Sequence, residues 1–161
     1  MNIWQCQNWK EIYDGYNIRS GLRLRFDRGV DEDVKIACKK YCKWLRKEYF
    51  FPLRIPIYVK NALKIQARDG ELVYGTFLGP YDFLEEPYIR ISVGDYRELL
   101  LKYGQKDALL EYLYIITHEL THYFQWINQI KLTDIGEERQ ATKYANFILE
   151  RYIEQYSGCI V

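Results

Sequence analysis

Both histidines of this 161-residue chain, His118 and His122, stand four positions apart, with Glu119 beside the first. On an α-helix that spacing sets two imidazoles one turn apart on one face, so each can offer a ring nitrogen to the same metal ion. Glu119 then lies about 100° further round the helix, close enough to take a proton from a water that the ion acidifies. Read as chemistry, His-Glu-x-x-His is a hydrolytic constellation: two ligands fix an ion, and one carboxylate serves as general base. The competing reading is a helix with two core histidines satisfied by ordinary partners. Against it stand two separate requirements that both hold, the five-residue pattern and the apolar helix around it.

That helix is legible in the flanks. Taking His118 as the reference direction, Leu109, Leu113, Ile116, Leu120, Phe124 and Ile127 fall at about 160–240° from it, on the opposite side. No charged residue other than Glu119 lies between Tyr112 and Asn128. The pattern predicts a buried helix over 107–128 with a greasy back for a sheet and a front carrying His118 and His122.

A catalytic zinc has three protein ligands and one open position. The chain has no third histidine, and Cys159 is its only cysteine after the motif. Residues 133–146 offer adjacent carboxylates, Glu137 and Glu138. Asp134 is a good N-cap, and Glu137, three residues on, completes a capping box. Glu137 therefore has a local task at the helix start. Glu138 shares a face with Ala141, Thr142 and Ala145, whose small side chains let that helix approach the motif helix. The expected set is Zn2+ on His118, His122 and Glu138, with Glu119 catalytic.

The elements that must position these residues alternate along the chain. Residues 1–18, rich in Trp, Tyr, Asn and Gln, read as an aromatic arm packed on the domain. Residues 19–28 alternate Leu22, Leu24 and Phe26 with Arg23, Arg25 and Asp27, a half-buried strand whose arginine row reads as a solvated face. Asp31 opens a helix to about residue 49. Strands are expected over 53–59, 71–78 and 88–93, with 63–68 ambiguous and Asp69-Gly70 a turn. A short helix over 96–103 is stopped by Gly104. The expectation is an α+β fold: a mixed sheet of about four strands, a backing helix, the motif helix, and a C-terminal helix bearing the third ligand.

Length bounds the chain to about one domain, 1–161. With 23 basic and 22 acidic residues the net charge is +1, so nothing global points to nucleic acid or to an anionic membrane. The N-terminus lacks the basic and apolar regions of a signal peptide, and no run approaches a membrane span. A cytoplasmic protein with Cys6, Cys38, Cys42 and Cys159 as thiols is expected. Cys38 and Cys42, one helical turn apart, read as a packing pair. Cys159 is third from the end, which does not fit a prenylation box.

His-Glu-x-x-His followed by a glutamate on the next helix resembles the gluzincin metallopeptidases. The tail, Glu138-x-x-Ala141-x-x-Tyr144-Ala145 with Ile148-Leu149 beyond, resembles the ImmA/IrrE-like zincins and their Glu-x-x-Ala-x-x-Phe-Ala pattern. The motifs cover residues 109–149, and the order of upstream elements is similar to a small zincin core. The resemblance implies a protein or peptide substrate laid antiparallel along an edge strand, for which 88–93 is the candidate. It also implies an oxyanion donor, with Tyr123, Tyr144 and Tyr152 as candidates. In thermolysin-type gluzincins an aspartate four residues past the ligand glutamate orients a ligand histidine. This chain has Thr142 there, a poorer orienter.

Three functions compete. One is a cytosolic zinc peptidase. Another is a catalytically silent zincin scaffold that binds a protein, against which the intact Glu119 argues. The last is a latent peptidase whose tail, 156–161, folds back on the cleft with Cys159 as a soft ligand.

Overall fold

The apolar side of β1 (Leu22–Phe26) alternates with Arg23 and Arg25, and this alternation makes β1 the first strand of a mixed four-stranded sheet. The computed structural model describes residues 2–156. α2 (Glu32–Glu48) follows, begun by Asp31, whose carboxylate accepts from the Asp33 amide at 2.9 Å, and closed over Arg46 and Lys47. Next come β2 (Ile55–Lys60), a two-stranded hairpin of β3 (Ile65–Gln66) and β4 (Leu72–Val73), then β5 (Gly75–Leu78) and β6 (Tyr88–Ser92). α3 (Tyr96–Tyr103) and α4 (Gln105–Ile127) meet at Gly104, whose φ of 84° is in the left-handed region that ends the first helix and admits the second. α5 (Asp134–Tyr156) closes the order, and a short α1 (Trp9–Ile12) precedes β1. The fold is α+β with a mixed four-stranded sheet, as expected; among the described residues it has five helices, of which the short α1 lies in the stretch read as an arm.

β1, β2 and β6 run parallel, and β5 pairs antiparallel with β6, in the order β1-β2-β6-β5. One face of the sheet presents Ile57, Val59, Ile89 and Ile91, which are fully buried in one core with Leu109, Leu113, Ile116 and Leu120 of α4. Each large aliphatic buried this way contributes about 1.5–3 kcal/mol. The other face aligns Arg25, Tyr58, Arg90 and Thr76 across the four strands. The arm packs as its composition implies: Trp4 is buried, 4.8 Å from the Phe124 ring, and Tyr13 donates to the Phe83 carbonyl at 2.6 Å. Among the described residues no helix is long and apolar enough to cross a membrane.

Two expectations change. The strand expected over 71–78 is broken at Tyr74: β4 joins the hairpin with β3, and only β5 joins the main sheet. The stretch 88–93 is not the edge. β6 lies between β2 and β5, with Ile89, Ile91 and Ser92 fully buried, because β5 folds back and takes its open side. β5 is the edge beside α4. The expected tail contact over 156–161, with Cys159, falls almost wholly outside the described residues.

Candidate metal centre and cleft

α4 runs 23 residues without Gly or Pro. Its back is fixed by packing and by polar bonds. Leu109, Leu113, Ile116, Leu120, Phe124 and Ile127 are all buried, as their spacing predicts. Thr117 Oγ1 donates to the Leu113 carbonyl at 2.6 Å, which leaves it to accept from the Tyr41 hydroxyl at 2.5 Å. Thr121 Oγ1 donates to the Thr117 carbonyl at 2.9 Å and accepts from Trp4 Nε1 at 3.0 Å. Tyr123 donates to the Leu53 carbonyl at 2.6 Å and accepts from the Leu53 amide at 3.1 Å. These bonds resist rotation or sliding of the helix, and so aim its front.

On that front His118 and His122 have ring centroids 5.0 Å apart and planes inclined by 76°. α5 brings Glu138 to them. His118 Nε2 is 3.1 Å from Glu138 Oε2, and His122 Nε2 is 3.0 Å from Glu138 Oε1. One ligand atom from each of the three residues lies within 4.8 Å of the others, and this group can hold a metal ion. A tetrahedral ion with bonds of about 2.1 Å separates its ligand atoms by roughly 3.4 Å, close to the two histidine–carboxylate distances. Glu137 borders the cleft but is not in the ligand group.

The hydrogen bonds of Gln125 bear directly on what fits here. This residue is 3 % exposed. Its Nε2 donates to the Glu137 carbonyl at 3.0 Å and to Gln140 Oε1 at 2.9 Å, which assigns the amide orientation. Its Oε1 is thus the acceptor 2.8 Å from His122 Nδ1, so the proton of a neutral His122 sits on Nδ1. Nε2 then presents a lone pair to a carboxylate oxygen 3.0 Å away. Two acceptors that close need a proton or a cation between them. Burial, then the neighbouring His122, holds His118 below its ordinary pKa, with Glu138 pulling the other way. The His118–Glu138 contact is therefore not an ion pair at neutral pH, short as it is. Two imidazoles converging on one carboxylate form a group that can hold a metal ion.

Glu119 stands beside this group, 8 % exposed. Burial first, and then the charge of Glu138, push its carboxyl up to about 8. Facing it across the cleft is Gly75, the first residue of β5. A Cβ at Gly75 would stand 2.5 Å from Ile115 Cγ2 and 3.4 Å from Glu119 Oε1, so only glycine lets the strand pass this close. At the far end of β5 a Cβ on Gly79 would meet the Trp126 ring at 2.4 Å. The cleft between β5 and the α4–α5 pair has a volume of about 830 Å3. His118, Glu119, His122 and Glu138 line it together with Phe77 and Trp126, and Asp69 and Glu71 of the β3–β4 turn border it.

Several expectations resolve differently. The cap of α5 is Thr133, not Asp134: Thr133 Oγ1 accepts from the Gly136 amide at 3.0 Å, and Asp134 is already helical. Three residues past this cap stands Gly136, which has no side chain to complete a capping box, so Glu137 is left without that task. Ala141 and Ala145 are fully buried, which lets α5 pack along α4. Thr142 is exposed, and the His122 ring is held by Gln125 instead. Gln125 was missed, although a glutamine three residues past a ligand on an apolar helix shares its face. None of Tyr123, Tyr144 and Tyr152 borders the cleft. Tyr123 is bound to Leu53, the Tyr144 hydroxyl accepts from the Ile3 amide at 3.4 Å, and Tyr152 packs 4.8 Å from the Tyr41 ring.

No protein-family model, curated protein or solved structure matches this chain. The cleft brings together three residues that can hold a metal ion, a buried carboxylate beside them, and a strand edge across from both.

Proposed function

We propose that this protein is a zinc-dependent peptidase of zincin type, acting on a protein or peptide in the cytosol. One observation carries the reading: Glu119 is a buried carboxylate beside three residues that can converge on a metal ion. A scaffold that merely binds metal has no use for that carboxylate. The buried free thiols Cys6, Cys38 and Cys42 suit a reducing compartment.

His118, His122 and Glu138 would hold the ion. When bound, zinc supplies a Lewis acid that makes water nucleophilic near neutral pH and draws charge from a carbonyl. Glu119, as a carboxylate beside the bound ion, would take the proton of the attacking water and pass it to the leaving amine. Gln125 holds the His122 ring with Nε2 turned towards Glu138, where it would serve as a ligand. The substrate pairs by main-chain bonds with the free edge of β5, which gives affinity with little sequence preference. The missing side chain at Gly75 lets that backbone come close to Glu119.

Glu119→Gln tests the reading. The variant should keep one zinc per chain by elemental analysis and lose about 10²–10⁴-fold in peptide hydrolysis. Hydrolysis or biological activity equal to wild type would sink the peptidase and leave the silent binding scaffold.

A further inference from the structure

We infer that Arg90 selects an acidic side chain in the peptide bound along β5, at a position that points away from the metal ligands. The inference rests on the peptidase reading and names the substrate class for that site. A chain paired with β5 alternates its side chains between the two faces of the sheet. One set enters the cleft with Glu119. The other set meets a second groove of about 640 Å3 at the same edge, and Thr76 and Phe77 border both grooves.

Arg90 lines this second groove. It lies in register with Thr76, on the strand next to the edge. Strands stand about 4.8 Å apart, and a threonine is short, so a long arginine can reach over β5 to the bound chain. Its guanidinium is already set in place, because Nη2 donates to the Gln66 carbonyl at 2.5 Å. Its Nε is buried and makes no hydrogen bond to any described residue. The outer, Nη end of this planar donor fork is the exposed part, and with its stem fixed it suits a carboxylate in the groove. Arg54 Nε is also without a hydrogen bond, but Glu86 stands 3.7 Å from it. Arg90 has no such counter-charge among the described residues. Glu85 and Glu86 border the groove as well, so an anion is favoured only within reach of Arg90.

The experiment uses zinc-loaded full-length protein and a library of unstructured octapeptides in which each position in turn is Asp, Asn or Lys. Cleavage is read with the wild type, and binding with Glu119→Gln. At one position, Asp should raise kcat/KM and affinity about ten-fold over Asn. Arg90→Gln should abolish that preference while Asn peptides are cleaved as before. Arg90→Lys, which keeps the charge but not the fork, should retain only part of it. Arg25→Gln, on the same face two strands away, should leave it intact. Cleavage without any acid preference would overturn the inference and leave the peptidase reading standing. Acid-selective binding that depends on Arg90, with no cleavage by wild type, would keep Arg90 and overturn the peptidase. Neither binding nor cleavage would overturn both.

Discussion

The two sides of α4 handle buried polar groups in opposite ways. On the back, the hydroxyls of Thr117, Thr121 and Tyr123 each find a donor and an acceptor within the chain. On the front, His118 and His122 both converge on the Glu138 carboxylate, and Glu119 carries a pKa pushed up to about 8. The same helix and similar burial give contentment on one side and demand on the other. Burial of a polar group does not by itself separate structure from function. What separates them is whether the chain supplies the partner or leaves it to a ligand.

The contrast can be broken most severely at the front. Glu138→Ala should cost far more metal affinity than the roughly 10–100-fold typical of an outer-shell partner, whereas Glu137→Ala should bind metal as wild type does. Metal titration with a competing chelator checks both. If the two variants behaved alike, the choice of Glu138 as ligand would fall.

pH acts next, on metal-free protein. Folded Glu119 keeps its proton up to a pKa of about 8, while the unfolded chain releases it near the ordinary value. The folded state thus binds the extra proton, and its stability falls as pH rises through that window, by on the order of a few kcal/mol in all. His118 works the other way: its lowered pKa removes stability only as pH drops below the ordinary histidine range. Between these ranges, from about pH 6.5 to 8, Glu119 dominates. Denaturant midpoints should fall with pH there, and Glu119→Gln should flatten the slope.

Gln125→Leu sharpens the comparison, since it deletes the group that joins front to helix pairing. Metal affinity should drop about 10–100-fold with Glu119 and the ligands intact. The back should respond in a different currency. Thr117→Val strands the buried Tyr41 hydroxyl and should cost about 1–2 kcal/mol in chemical denaturation, with metal affinity unchanged. A variant of the back that released metal would erase the distinction between the two sides.

The motif was legible because its spacing and its apolar back are local, periodic facts. His118, Glu119 and His122 needed only the helix, and Leu109 through Ile127 announced it. Glu138 was reached partly through a cap assigned one residue late, at Asp134 instead of Thr133, since Thr and Asp in succession compete for the same task. The edge was not legible. Which strand ends the sheet depends on β5 returning to cover β6, a pairing between segments that no local pattern encodes. Gly75 and Gly79 read as ordinary strand and turn glycines until Ile115 and Trp126 are seen against them. Gln125 was passed over because its role exists only once α5 docks and supplies the Glu137 carbonyl and Gln140.

The ligands share one further property. His118 and Glu138 are only 20 residues apart, on two helices packed together as one hairpin. An ion bridging them closes a short loop and adds its binding energy to that hairpin, not to the sheet or α2. Stripped of metal, the molecule should keep a protected sheet while amides in the first turns of α5 exchange quickly with solvent. The site would then be assembled and dismantled as a local event, and the supply of metal would decide how often the C-terminal helix lies open in an otherwise folded protein.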